Sequence, residues 1–253
     1  MIVQGFVVVL LVMFLSWISY LIRRNAGVFD VAYAFSFFVM GVICFTLGQG
    51  YFLRKLFIFF LVSIWSLRLT GYLFLRYARK SQEGRFQAIR AHYKAVSDVQ
   101  FGLLFLAQGV LVVLLSIPFM LISINPTPHI SVLEWCAMLL WIVALCGEIV
   151  ADKELFQFKH DPKRVNQVCT EGLWRYSRHP NYFFEWLLWV AYFLLALSAP
   201  FGLLAIISPI LMYYLLVHVT GVQVAEEQAL ITKGEAYRKY MNTTSRFFPW
   251  FPQ

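Results

Sequence analysis

The feature that most constrains this chain is a series of apolar runs, each close to the length that crosses a bilayer. A hydrocarbon core of about 30 Å takes roughly 20 apolar residues as a helix. Such runs occupy residues 3–22, 29–47, 56–75, 101–122, 132–150, 182–197 and 202–222. Backbone polar groups find no water inside a bilayer, so spanning segments must bond internally as helices or closed barrels. Runs of this length predict an all-α, polytopic membrane bundle of about seven transmembrane helices. Composition agrees: only 13% of the 253 residues are charged, against about a quarter in soluble domains. The sixth run is short, and the hairpin Ser198-Ala199-Pro200-Phe201 that leaves it is tight. No small-residue cleavage motif follows the first run, which is read as a retained helix.

The net charge of +8 is placed for topology rather than for nucleic acid. Arg23 and Arg24, the basic stretches 76–94 and 153–178, and the tail cations Lys233, Arg238, Lys239 and Arg246 fall on one side of such a bundle. Cations accumulate on the cytoplasmic side, which predicts an external N-terminus and a cytoplasmic C-terminus. Arg54 and Lys55 are the exceptions. The location expected is a multi-pass site in a membrane: the inner membrane of a bacterium, or the endoplasmic reticulum of a eukaryote. Residues 1–253 read as one membrane-embedded domain. Cys44, Cys136, Cys146 and Cys169 lack metal-ligand spacing, and the five histidines are dispersed. No metal is expected.

Charge kept at membrane depth is costly and tends to be functional. Asp30, Arg68, Glu148, Asp152, Glu185 and Glu226 lie at or within span ends. Arg68 is mid-span, where insertion costs roughly 2.5–3.5 kcal/mol, so it should face the interior beside a carboxylate or a ligand phosphate. Glu148 and Asp152 share a helix face by their i, i+4 spacing, as do Asn181 and Glu185. Lys159 follows two turns after Asp152. Carboxylates and amides there suit ribose hydroxyls or an amide, and the cations suit phosphate oxygens. Neither G-x-G-x-x-G nor a P-loop is present. Tyr237, Tyr240, Arg246 and Phe247-Phe248-Pro249 add a polar-aromatic tail.

The motifs Trp65-x-x-Arg68-Leu69, Asp152-Lys153-x-x-x-Phe156-x-x-Lys159 and Gly172-Leu173-Trp174-x-x-Ser177-Arg178-His179-Pro180-Asn181-Tyr182-x-x-Glu185 resemble the DUF1295 family. That family is grouped with the steroid 5-alpha-reductase and sterol-reductase membrane enzymes. The resemblance covers nearly the whole chain and is densest over 151–189. It implies a reductase that uses NADPH on an activated double bond of a lipophilic substrate such as a sterol, isoprenoid or other lipid. The cofactor half would be about 145–253. By position, Arg68, Asp152, Lys159, Tyr176, Asn181 and Glu185 match cofactor contacts, and Trp174, Arg178 and His179 match the signature around it. Tyr237 joins the same set.

Two departures bear on the chemistry. Trp65 stands where the steroid reductases carry an acidic tyrosine, and an early Gln-x-x-x-Glu pair is missing. Steroid 3-oxo-4-ene reduction is therefore not the expected reaction. Asp30, Tyr33 and Tyr72 are the candidates left for the catalytic proton. Gln82-Glu83-Gly84-Arg85-Phe86 matches the family's acidic-Arg-aromatic motif only loosely. A second resemblance, to isoprenylcysteine-carboxyl-methyltransferase-like enzymes, rests on Arg178-His179-Pro180, Glu226-Glu227-x-x-Leu230, Tyr237, Tyr240 and Arg246-x-x-Pro249. It implies S-adenosylmethionine in place of NADPH. A transporter is disfavoured by the lack of an inverted repeat.

Overall fold

The computed structural model describes residues 1–25, 27–79, 98–164 and 167–252. The Gln82–Phe86 motif lies outside them. Helices are the only regular elements among the described residues, with no strand among them. Six helical segments are long and apolar enough to cross a membrane. The helix at the sixth expected run, Pro180–Ala196, has 17 residues. At 1.5 Å per residue that reaches about 25 Å, a little short of the hydrocarbon core.

Two compact units divide the chain, 1–130 with 196–204, and 131–195 with 205–253. In the first, α1 (Ile2–Arg23), α2 (Val28–Leu47), α3 (Phe52–Arg79), α4 (Asp98–Leu115) and α5 (Ile117–Ile124) pack around large apolar side chains. Trp65 is fully buried against Phe37, their rings 5.2 Å apart, and Phe119 closes on Phe37 from α5. The apolar run at 101–122 is broken at Ser116, whose N–H and hydroxyl both bond back to the Val112 carbonyl. Pro118, two residues on, cannot donate into a continuous helix.

The two exceptional cations are explained by helix ends. A helix leaves its last carbonyls without intrahelical donors, and a cation is favoured there. Lys55 Nζ donates to the Phe45 and Gly48 carbonyls at the end of α2. Arg54, buried, donates to the carbonyls of Asn125, Thr127 and His129 just past α5. Both side chains cap backbone.

The second unit begins with α6 (Val132–His160), opened by a Ser131/Glu134 capping box. Its 29 residues run about 44 Å, so the last turns outreach the hydrocarbon. Asp161-Pro162 ends it, as the proline predicts. Helix α7 (Pro180–Ala196) starts at its proline. It runs antiparallel to α6: Asp152 meets Asn181, while the position of a Cβ on Gly147 would fall 2.4 Å from the Phe184 ring. Only glycine at 147 allows that approach. The last apolar stretch is irregular: a 3-10 turn at Gly202–Ile206, α8 (Ile207–Tyr214), a π turn at Leu215–Val219, then α9 (Val222–Lys233) and α10 (Glu235–Thr243).

Candidate functional site

The Gly172–Asn181 stretch is built onto the end of α6. Gly172 adopts φ +57°, and the Glu154 carboxylate fills the place where its Cβ would stand. That conformation and that close approach both call for glycine. Glu154 Oε2 accepts from the Leu173 N–H at 2.9 Å. Trp174 then packs with Phe158 and Cys169, and its indole N–H reaches the Ala151 carbonyl at 3.0 Å.

Beyond Trp174 the backbone is held by the C-terminal segment. Arg178 N–H donates to the Ser245 carbonyl at 2.8 Å, Ser177 Oγ to the Phe247 carbonyl at 2.9 Å, and Trp250 N–H to the Tyr176 carbonyl at 2.9 Å. The Tyr240 hydroxyl donates to the carbonyls of Trp174 and Ser177. Residues 241–250 thus form a strap across the loop.

At the centre of strap and loop sits Glu226 of α9, buried. Its Oε1 lies 2.8 Å from Arg178 Nε, in ion-pair contact though off the hydrogen-bond line, and 3.4 Å from His179 Nε2. Its Oε2 lies 3.3 Å from Arg246 Nε. Arg178 Nη1 also donates to the carbonyls of Met241 (2.7 Å) and Thr244 (3.3 Å) at the end of α10. The cation therefore answers a buried carboxylate and the unpaired carbonyls of a helix terminus together. His179 stacks on Tyr182, rings 5.6 Å apart and 5° from parallel. Burial, foremost, pushes the His179 imidazole below its ordinary range; Arg178 and Arg246 push the same way and Glu226 opposes them. Tyr237 and Tyr240 are buried on the same cluster. Burial, aided by Glu226, pushes Tyr237 up to about 12, and burial raises Tyr240 as well.

A second polar group lies between α6 and α7. Asn181 Nδ2 donates to Asp152 Oδ1 at 3.3 Å, both residues being half-buried. The Asn181 Oδ1 atom is buried without a hydrogen-bond partner among the described residues. One turn before Asp152 on α6 stands Glu148, buried, and one turn after Asn181 on α7 stands Glu185, whose Oε1 accepts from the Trp189 indole at 3.1 Å.

The sequence-derived residues thus fall into groups. Asp152, Asn181 and Glu185 line the α6–α7 seam. Trp174, Arg178, His179 and Tyr237 are buried in the loop-and-strap cluster, where Arg178 and His179 turn to Glu226. Lys159 is exposed near the end of α6, and Tyr176 is exposed against the ring of Phe251. Arg68, Asp30, Tyr33 and Tyr72 belong to the first unit. Arg68 is half-buried on α3, Asp30 sits in the first turn of α2, Tyr33 meets the Phe37 ring edge-on, and Tyr72 is 49% exposed. Glu226 was legible as an ionisable residue at a span end, but its place at the hub was not. The signal was there in Glu226-Glu227-x-x-Leu230 and Arg246-x-x-Pro249, the residues that suggested a methyltransferase.

A polar cavity of about 310 Å³ opens beside the same loop, lined by Glu154, Asp161, Arg164, Cys169 and Glu171 among others. Arg164 bridges Glu171 at 2.7 Å and Asp161 at 3.1 Å within it.

A family model described as "Protein of unknown function (DUF1295)" matches residues 16–244. No curated protein and no solved structure matches the chain.

Proposed function

The chain belongs to the DUF1295 family, and from that footing we propose that it is an NADPH-dependent membrane reductase acting on a double bond of a lipophilic molecule. The observation that carries this reading is the Asp152–Asn181 pair with its buried, open amide oxygen. A buried acceptor without a partner costs about 1–3 kcal/mol, which a ligand N–H such as an adenine amine or a carboxamide would recover.

Bound NADPH supplies a hydride to one carbon of the double bond, and a proton to the neighbouring carbon completes the reduction. In this reading Asp152, Asn181 and Glu185 hold the amide and hydroxyl groups of the cofactor. Lys159 would meet its phosphates, Trp174 and Tyr176 would bound it with their rings, and Tyr237 would back the site. Arg178 and His179 serve by holding the loop to Glu226.

The test is NADPH binding by purified protein in lipid nanodiscs, compared with Asn181→Ala and Asp152→Ala. Deleting a buried hydrogen-bonding partner costs about 1–3 kcal/mol, so each variant should bind roughly fivefold or more weakly while inserting normally. Unchanged affinity in both would remove the seam from the cofactor site. A second reading has its own support: Glu226, Arg246, Tyr237 and Tyr240, the methyltransferase-like residues, do gather in one cluster. S-adenosylmethionine in the same binding assay separates the two.

A further inference from the structure

We propose that Glu226 is a positioning residue that pins the C-terminal strap over the Arg178-His179-Pro180 loop, and that protonation of His179 releases the strap. The inference rests on the NADPH reading only for its consequence, the weakening of cofactor binding in acid.

The geometry is that of a latch with one pin. Glu226 Oε1 faces Arg178 and His179 from the loop, and Oε2 faces Arg246 from the strap. Remove or outweigh that carboxylate, and two arginines confront each other across a closed contact. Among the described residues the other polar contacts joining strap to loop are the Arg178 Nη1 bonds to the Met241 and Thr244 carbonyls, backbone hydrogen bonds from Arg178 N–H to Ser245 and Trp250 N–H to Tyr176, and neutral hydroxyls, Ser177 Oγ to Phe247 and Tyr240 to the loop carbonyls. These contacts carry no pH dependence of their own in the neutral range.

The charges around His179 decide the sign. From its own loop it faces Arg178, from α9 Glu226, from the strap Arg246, from α7 the Tyr182 ring, and the neutral phenols Tyr237 and Tyr240 of α10 complete the cluster. One carboxylate already answers two guanidinium groups, Arg178 buried and Arg246 half-exposed, so a proton on His179 would add a third cation to a cluster carrying net positive charge. Desolvation also opposes the charged ring. A histidine kept neutral when closed and free to protonate when open makes closure weaken as pH falls below about 6.5, the ordinary value. Histidine is the side chain suited to such a switch near neutrality.

The experiment is amide hydrogen exchange on the full chain in nanodiscs, without cofactor, followed at Arg178 and Trp250, whose N–H groups are the strap bonds. If the closed state excludes the proton, protection corrected for intrinsic exchange should drop by about tenfold between about pH 7.5 and about pH 5.5. His179→Gln should flatten that profile, and His179→Asn serves as a second neutral replacement should the glutamine variant not fold. Glu226→Gln should lower protection at both pH values. A wild-type profile without the acid loss overturns the latch, as does the same loss in the neutral variants. Because no NADPH is present, either result leaves the cofactor reading intact. Failure of NADPH to bind at neutral pH with a working latch would overturn that reading instead.

Discussion

Single side chains decide how the loop is held, and Tyr240 is the most exposed to test. Its hydroxyl serves two buried carbonyls, those of Trp174 and Ser177. Tyr240→Phe keeps the ring and strands both acceptors, so unfolding free energy should fall by about 1–3 kcal/mol, measurable by chemical denaturation in mild detergent. Arg178 shows what sequence could and could not say at this scale. Its type and its neighbours marked a polar run at a span end, and many of the second unit's polar contacts gather there. Its partners could not be read, because Glu226 lies 48 residues away and Met241 63 residues away. Periodicity speaks only for neighbours a turn apart. Trp65 is the complementary case: it stands where the steroid reductases carry a tyrosine, and it is fully buried against Phe37.

At the scale of elements, the apolar runs predicted helices closely because hydrophobic length is itself the membrane constraint. Ends set by Pro162 and Pro180 were legible for the same local reason, the missing donor. Interruptions inside apolar stretches were not. Ser116 and the π turn at Leu215–Val219 sit in apolar runs, and of the two only the first has a proline, Pro118, within two residues of the break. Helix α10 carries a testable consequence of its burial. Tyr237 and Tyr240 hold their protons more tightly folded than unfolded. Above about pH 10 the unfolded chain ionises them first, so stability contributed by this helix is present below that pH and lost as pH rises beyond it. Thermal midpoints taken at about pH 9 and about pH 11 should show the loss, and Tyr237→Phe should reduce it.

For the whole molecule, the chain is a polytopic helical membrane protein of the DUF1295 family, and its proposed chemistry rests on one ligand. The methyltransferase-like pattern was legible in the tail, yet among the described residues its members mainly hold the strap to the loop. The α6–α7 seam keeps an open acceptor at Asn181. A ligand that binds only the folded state raises apparent stability, by about 2.7 kcal/mol at a hundredfold excess over Kd. The most direct measurement is therefore thermal unfolding of the purified chain in nanodiscs, titrated separately with NADPH and with S-adenosylmethionine. The proposed function predicts a midpoint that climbs with NADPH concentration and ignores S-adenosylmethionine. A midpoint unmoved by NADPH, or one that climbs with S-adenosylmethionine alone, would contradict it.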